Sequence, residues 1–213
     1  MNVRTRLYAA MVVVVVGFAV TVGVGVAGMT SLGDSFDRVQ EAGDARALAL
    51  ALKYDVTDMN GWQTAYGYDN GASRPTFLAS VERLRSNLAE AMTRLARPEE
   101  QRSLADLQAA FDDFMRLDDV AWAALQAGRE QEVRRIFLEP EIVNFTRAAA
   151  AAEELASLEA ARADREAEAF RDARRDALQQ LLLAAALAGL LILMLLVTAV
   201  DVLRGSPRPA PSP

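Results

Sequence analysis

The chain has 213 residues, of which 52% are hydrophobic and 24% charged, and its formal net charge at pH 7 is −6. It contains no cysteine and no histidine, which excludes thiol nucleophiles, disulfides, zinc sites built on those ligands and imidazole acid–base catalysis. The apolar content is high for a soluble domain, so the first features to seek are membrane-spanning segments.

The first apolar segment contains no charged residue between positions 7 and 33 and includes the run VVVVVGFAVTVGVGVAGM. It exceeds the roughly 20 residues needed to cross a bilayer and the about 7–15 apolar residues of a signal peptide. We therefore predict an uncleaved transmembrane helix at 7–29 behind a cytoplasmic segment 1–6, although VAGMTS also resembles a cleavage site. Small residues in this span favour close packing against the second span or against a second protomer: Gly17, Gly23, Gly25 and Gly28.

The middle region is predicted to consist of helices only. Prolines at 75, 98 and 140 fit the first turns of helices, where a missing N–H costs nothing. Apolar residues recur at steps of three and four, as in helix bundles. The predicted pieces are 30–70, 74–96, 99–126 and 139–178, with a short helical insert at 129–137. The clearest buried stripes are Phe77, Val81, Leu84, Leu88, Ala91 and Leu95, and then Leu104, Leu107, Phe111, Phe114, Asp118, Ala121 and Leu125.

The stretch KYDVTDMNGWQTAYGYDNG, residues 53–71, carries acids where a core is expected. At 100° per residue, Asp55, Asp58, Trp62 and Tyr66 share an arc of about 80°. A buried carboxylate needs a partner, and arginine is the expected one. Two interpretations stand: a site for a ligand or a second protomer, or a structural ion pair inside the bundle, with the two aromatic residues filling the core or an interface.

Two further features belong to the candidate site. The Asn60-Gly61 pair weakens a helix and predicts either a π-bulge or kink beside a site, or close backbone packing against another helix. Asp118 lies at a seam position beside Trp122, where a polar residue either serves the site or fixes register or oligomeric state. The candidate residues are thus Asp55, Asp58, Asn60, Trp62, Tyr66 and Asp118. The acidic and basic run around 153–176 is predicted to be a solvated face.

The second apolar segment, 177–200, is also free of charge and long enough to span a membrane. Basic residues before the first span and after the second, such as Arg4 and Arg204, place both termini in the cytoplasm. Residues 30–176 then lie outside as one extracytoplasmic domain, and 201–213 form a short Pro-rich cytoplasmic tail. Residues 34–176 hold 28 acids and 19 bases, a formal charge of −9, which argues against nucleic-acid partners.

Geometry completes the predicted fold. The first and fourth pieces continue into the two spans, so they must be antiparallel neighbours, and the shorter second and third pieces pack around them. The expectation is an up-down-up-down four-helix bundle on two transmembrane helices.

This architecture, together with DVTDMNGWQTAYGYD and AWAALQAGREQEVRRIFLEPEIVNF, resembles the four-helix-bundle sensory region of methyl-accepting chemotaxis receptors. The resemblance covers residues 1 to about 203. It implies a plasma-membrane sensor that detects an external signal, with a small-molecule ligand as one possibility, and transmits it by helix displacement, as a homodimer or a heteromer with a related receptor. The ending VDVLRGSPRPAPSP departs from complete receptors, which continue into a HAMP domain and a cytoplasmic coiled coil.

The alternative function is a membrane adaptor or structural protein that pairs with a full-length receptor and binds no ligand. An enzyme is not expected, because the sequence offers no nucleophile–base pair, no phosphate-binding glycine loop and no metal-ligand cluster. We accordingly expect no catalytic residue, cofactor or metal.

Overall fold

The computed structural model describes residues 3–204, which are helical apart from three short turns. No strand occurs in this range, so the all-α prediction is confirmed. The elements are α1 (Val3–Tyr68), α2 (Arg74–Arg94), α3 (Pro98–Gln126), α4 (Glu130–Ile136), a π-helical segment (Phe137–Glu141) and α5 (Ile142–Arg204). Most of the predicted Pro-rich tail lies outside the described residues.

Local sequence explains where α2 and α3 begin. Proline stands in the first turn of each helix, as Pro75 and Pro98, so both predictions of a helix start are confirmed. Glu99 and Glu100 lie in the first turn of α3, next to the positive end of its dipole. The Glu100 carboxylate also accepts a hydrogen bond from the backbone N–H of Arg97 at 2.9 Å, which satisfies a donor that the helix leaves free.

The third proline does not start a helix. The sequence predicted a break before a fourth piece at 139, but Pro140 lies inside the π-helical segment that joins α4 to α5. Proline supplies no N–H and clashes with the preceding turn of a regular α-helix. The wider π turn accommodates it, so the chain stays helical from Glu130 to Arg204.

The chain divides into two compact units. The helical unit is Val39–Glu166, and the apolar unit comprises the described residues of Met1–Arg38 and Ala167–Pro213. One hydrophobic core in the helical unit is built from α1, α2, α3 and α5. The predicted α2 stripe is buried from Phe77 to Leu95, and in α3 the stripe is buried through Ala121, while Leu125 is only partly buried.

The inner face of α5 was not evident from its sequence, and alanine supplies most of it. Ala148, Ala152 and Leu155 are buried in the core, because small side chains let α5 approach its neighbours closely. Glu153 and Glu154 are exposed as predicted. Glu159, expected on the same solvated face, is instead buried, because it lies one turn beyond Leu155 on the inner side of the helix.

In the apolar unit, two helices are long and apolar enough to cross a membrane. Their side chains point outward, as shown by Phe18 (70% exposed) and Leu182 (71%). Three of the four predicted packing glycines of α1 face α5: Gly17 lies against Leu191, Gly25 against Leu181 and Gly28 against Ala177. A Cβ at Gly23 would meet no atom within 4 Å, so this glycine does not pack against the second span, and packing against a second protomer stays a prediction there.

Candidate functional site

A buried set of polar and aromatic side chains lies where α1, α2, α3 and the π-helical segment of the helical unit meet. We call it the polar–aromatic cluster and define it as Gln63, Tyr66, Arg74, Phe77, Asp118, Trp122, Phe137 and Glu141. Its centre is Asp118, whose side chain is fully buried. The Tyr66 hydroxyl and the Gln63 side-chain amide (3.1 Å) donate to Asp118 Oδ1. Arg74 Nη1 pairs with Asp118 at 2.6 Å.

Three aromatic rings surround the guanidinium of Arg74. Its Cζ lies 4.8 Å from the ring centroids of Tyr66 and Phe77 and 4.9 Å from that of Trp122. A desolvated cation over an aromatic face gains about 2 kcal/mol or more. The arginine side chain is only 11% exposed, so its charge is balanced by Asp118 and the rings and scarcely by water.

Glu141 is the second acid of the cluster. The Gln63 amide donates to Glu141 Oε1, while Oε2 is buried without a hydrogen-bond partner among the described residues. Burial raises the pKa of Glu141 to about 8, so this carboxyl is mainly protonated at neutral pH. Burial, together with Asp118, also raises the pKa of Tyr66, which keeps its hydroxyl a donor.

Two glycines of the 53–71 stretch make room for the aromatic rings. A Cβ at Gly67 would overlap the Phe137 ring, and one at Gly71 would lie 2.7 Å from Trp122. Gly71 also has φ +91°, a conformation that residues with a Cβ rarely adopt. Gly67 is therefore required by the close approach of a ring, and Gly71 both by close approach and by backbone shape.

The predicted acids Asp55 and Asp58 form a separate site on α1 and α2. Arg83 Nε donates to Asp55 Oδ1 at 2.6 Å and Arg83 Nη2 to Asp58 Oδ2 at 2.5 Å. The Asn87 amide donates to the other Asp55 oxygen at 2.6 Å. Asp55 is buried while Arg83 is half exposed. The expected arginine partner is thus Arg83, and the arrangement is an ion pair at the edge of the core.

The structure therefore divides the six candidate residues. Tyr66 and Asp118 belong to the polar–aromatic cluster, whereas Asp55 and Asp58 do not. Trp62 is 37% exposed, so it does not fill the core, and its other predicted role, filling an interface, stays a prediction. Asn60 is partly buried and lies in a stretch of α1 that is α-helical throughout, so no π-bulge occurs there. A Cβ at Gly61 would meet no described atom within 4 Å, so close packing within this chain is absent as well.

Sequence reasoning missed Gln63, Arg74 and Glu141. Gln63 could have been found, because the buried stripe of α1 steps by four from Met59 to position 63 and by three to Tyr66. Arg74 and Glu141 lie beside prolines that the sequence marks only as helix starts. No periodic signal indicates that their side chains turn inward.

The opposite face of α1 carries a second periodic feature, which we call the α1 stripe. Its residues are all exposed and uncharged and follow steps of four and three: Gly43, Ala47, Leu50, Tyr54, Thr57, Gly61, Thr64 and Tyr68. Large side chains are present among them, with Leu50 46% and Tyr68 87% exposed. Steps of four and three without charge are typical of a helix-to-helix seam.

Chemically, the polar–aromatic cluster can hold charge and take up or release a proton, and it links four helical segments in one hydrogen-bonded network. It is closed to water, since Tyr66, Asp118 and Glu141 are each at most 1% exposed. Comparison with protein-family models, with curated proteins and with solved structures returned no match. Any functional conclusion therefore depends on the residues themselves.

Proposed function

We propose that this protein is the membrane-anchored sensory module of a receptor similar to the chemotaxis receptors, without catalytic activity of its own. In this proposal α1, α2, α3 and α5 form an up-down-up-down bundle outside the plasma membrane. The apolar segments of α1 and α5 cross the bilayer, and both chain ends are cytoplasmic. A change in the bundle then shifts α5 relative to α1.

The observation that carries this proposal is the composition of the two long helices. Both α1 and α5 are uninterrupted helices. One part of each is an apolar, outward-facing segment of the apolar unit, and another part contributes residues to the core of the helical unit. Buried polar groups tie these helices to their neighbours: Tyr66 of α1 and Asp118 of α3 in the cluster, and Glu159 of α5. Networks of this kind can adopt a second arrangement when their charge changes.

The proposed partner is a second copy of the chain, bound along the α1 stripe. An uncharged heptad face that is left exposed over seven helical turns fits the same face of another α1. Gly43 and Gly61, which face nothing in this chain, would let the two backbones approach. Leu50 and Tyr54 would supply apolar contact at the middle of the seam.

Cysteine crosslinking tests the dimer directly, because the chain has no native cysteine. We expect L50C and Y54C in membranes to form disulfide-linked dimers on mild oxidation. K53C is the matched control. Lys53 lies on the same helix, but its side chain is directed to α5 of the same chain, where it pairs with Glu153 at 2.5 Å. Equal crosslinking at 50, 53 and 54 would count against the stripe.

A chimera tests the sensory role. Residues 1–203 replace the corresponding region of a chemotaxis receptor, and kinase output is recorded against amino acids, organic acids, sugars and pH. We expect at least one stimulus to change the output. If a correctly inserted chimera gives a constant output under all of them, the sensory proposal fails.

One observation favours the adaptor as a second candidate. The polar–aromatic cluster is closed, with Tyr66, Asp118 and Glu141 at most 1% exposed, so a small molecule cannot reach it unless the residues around it move. An adaptor would need no such access and would act by pairing with a related receptor. Crosslinking of Y54C to a co-expressed full-length receptor, with no response from the chimera, would support it.

A further inference from the structure

A second buried group of charges lies in the helical unit, apart from the polar–aromatic cluster. Its members are Glu100, in the first turn of α3, and Glu159 of α5, which we call the acid pair. Both are only 1% exposed. One oxygen of each, Glu100 Oε1 and Glu159 Oε2, is buried without a hydrogen-bond partner among the described residues. Each of the two acids therefore has an oxygen in need of a donor.

The nearest cation does not meet that need. Arg162 Nη1 lies 3.8 Å from Glu100 Oε1 and 3.5 Å from Glu159 Oε2, which is at or beyond the limit of a good hydrogen bond. Its Nη2 donates instead to Glu41 of α1 at 2.7 Å. Glu100 Oε1 and Glu159 Oε2 therefore both lie near the guanidinium of Arg162, but neither oxygen accepts a hydrogen bond from it.

The charges that surround the acid pair do not balance. Arg97, before α3, has its Nε 3.7 Å from Glu100 Oε1, and Arg94 of α2 is engaged elsewhere, with Glu90 and Asp44. The side chains of Glu41 and Arg97 are 70% and 41% exposed, so water compensates their charges. The enclosed groups are then two carboxyls, Glu100 and Glu159, against one guanidinium, that of Arg162. One added proton would neutralise the surplus and would supply the missing donor between the two helices.

We infer that the acid pair binds one proton and acts as a latch between α3 and α5, which loosens when the proton is released. With the proton on one carboxyl, the two acids can share a hydrogen bond. Without it, two buried carboxylates repel each other across the helix contact. Burial and the neighbouring Glu100 raise the pKa of Glu159 to about 7, which is consistent with release near neutral pH.

The sign of the effect follows from linkage. The folded state keeps the Glu159 proton up to about pH 7, whereas the unfolded chain loses it near the ordinary glutamate pKa of 4.5. The stabilisation is complete below pH 4.5 and is lost as the pH rises to about 7. In that window the unfolding equilibrium constant should rise by up to about tenfold per pH unit.

The test uses the full chain in lipid nanodiscs. Spin labels at R102C and A161C, both exposed positions, report the α3–α5 distance, and the infrared band of protonated carboxyls reports the proton. E159Q imitates the protonated acid, and E154Q, an exposed glutamate of the same helix, is the control. E141Q is present in every sample, because Glu141 also titrates.

We expect the parent and E154Q to lose a protonated-carboxyl band between pH 6 and 8.5, and their label distance to lengthen or broaden. E159Q should show neither change, and E100Q should show no distance change. The inference is overturned if E159Q and the parent lose the same band, or if the label distance is independent of pH in the parent. Proton binding by the acid pair is a property of the helical unit alone. The idea that the protein senses pH rests in addition on the proposed sensory function. A chimera that gives no response would therefore contradict pH sensing but not proton binding.

Discussion

Replacing Arg74 with methionine tests whether the polar–aromatic cluster holds the helical unit together. The substitution keeps an unbranched side chain among the three rings but leaves Asp118 as a buried, uncompensated carboxylate. Breaking a buried ion pair by removing one partner costs about 3–5 kcal/mol, and the lost cation–π contacts act in the same direction. For a unit of this size we expect the melting temperature to fall by roughly 10–20 °C.

The assay is thermal unfolding of the full chain in nanodiscs, followed by the fluorescence of Trp122 in a W62F background. Arg116→Met is the control, because Arg116 is 70% exposed and pairs only with Asp113 one turn away. Such a pair contributes about 0–1 kcal/mol. Adding Asp118→Asn to Arg74→Met should recover part of the loss, since the neutral amide no longer needs a cation. If Arg74→Met costs no more than Arg116→Met, the ion pair does not stabilise the fold and the reasoning is refuted.

Further predictions concern pH, glycines and the second ion pair. Glu141 keeps its proton to about pH 8 in the folded state, whereas its ordinary pKa is 4.5. The free energy of unfolding should therefore fall as the pH rises from 4.5 to 8. Denaturation measured across this pH range should show a smaller fall for E141Q. Gly67→Ala should destabilise by about 1–3 kcal/mol through overpacking. Gly61→Ala meets no atom of its own chain and should stabilise a monomeric chain by up to ~1 kcal/mol, so the comparison uses thermal melts with one chain per nanodisc; equal effects of the two substitutions would contradict this. Arg83→Met should lower the free energy of unfolding by about 1–3 kcal/mol, because it leaves the buried acid Asp55 with fewer donors. Asp58→Asn should lower it by less than ~1 kcal/mol. Chemical denaturation measures both changes.

Most of the fold was predictable, because it depends on periodic signals. The steps of three and four from Phe77 to Leu95 identified the buried face of α2, and Pro98 marked the start of α3. The continuity of α4 and α5 was not predictable, because Pro140 normally ends or starts a helix and only the π turn admits it. In α5 the abundance of alanine hid the inner face, since alanine is compatible with either side.

The site was predicted only in part, because a helical wheel gives direction but not depth or partners. Tyr66 and Asp118 were identified, and an arginine was expected for Asp55. The arc drawn through Asp55 and Asp58 was centred too far to one side, so Trp62 was assigned inward and Gln63 was overlooked. The buried stripe, which runs through Met59, shows the true centre. Which acid meets which arginine depends on contacts between residues 25 to 44 positions apart, about which local patterns contain no information.

The three charge groups around Arg74, Arg83 and Arg162 each hold more acids than bases, yet they need not behave alike. Beside Arg83 the surplus acid, Asp58, is partly exposed, so water can compensate its charge. In the other two groups the surplus carboxyl is enclosed, and protonation is the available compensation. Glu141 is the last residue of the π-helical segment, and Glu159 lies 18 residues further along, on the α5 helix that directly continues it. At 3.6 residues per turn this separation is about five turns, which places the two carboxyls on the same face. A rise in pH therefore adds two negative charges to the inner side of one continuous helical stretch, and the later residues of that stretch form the second apolar segment.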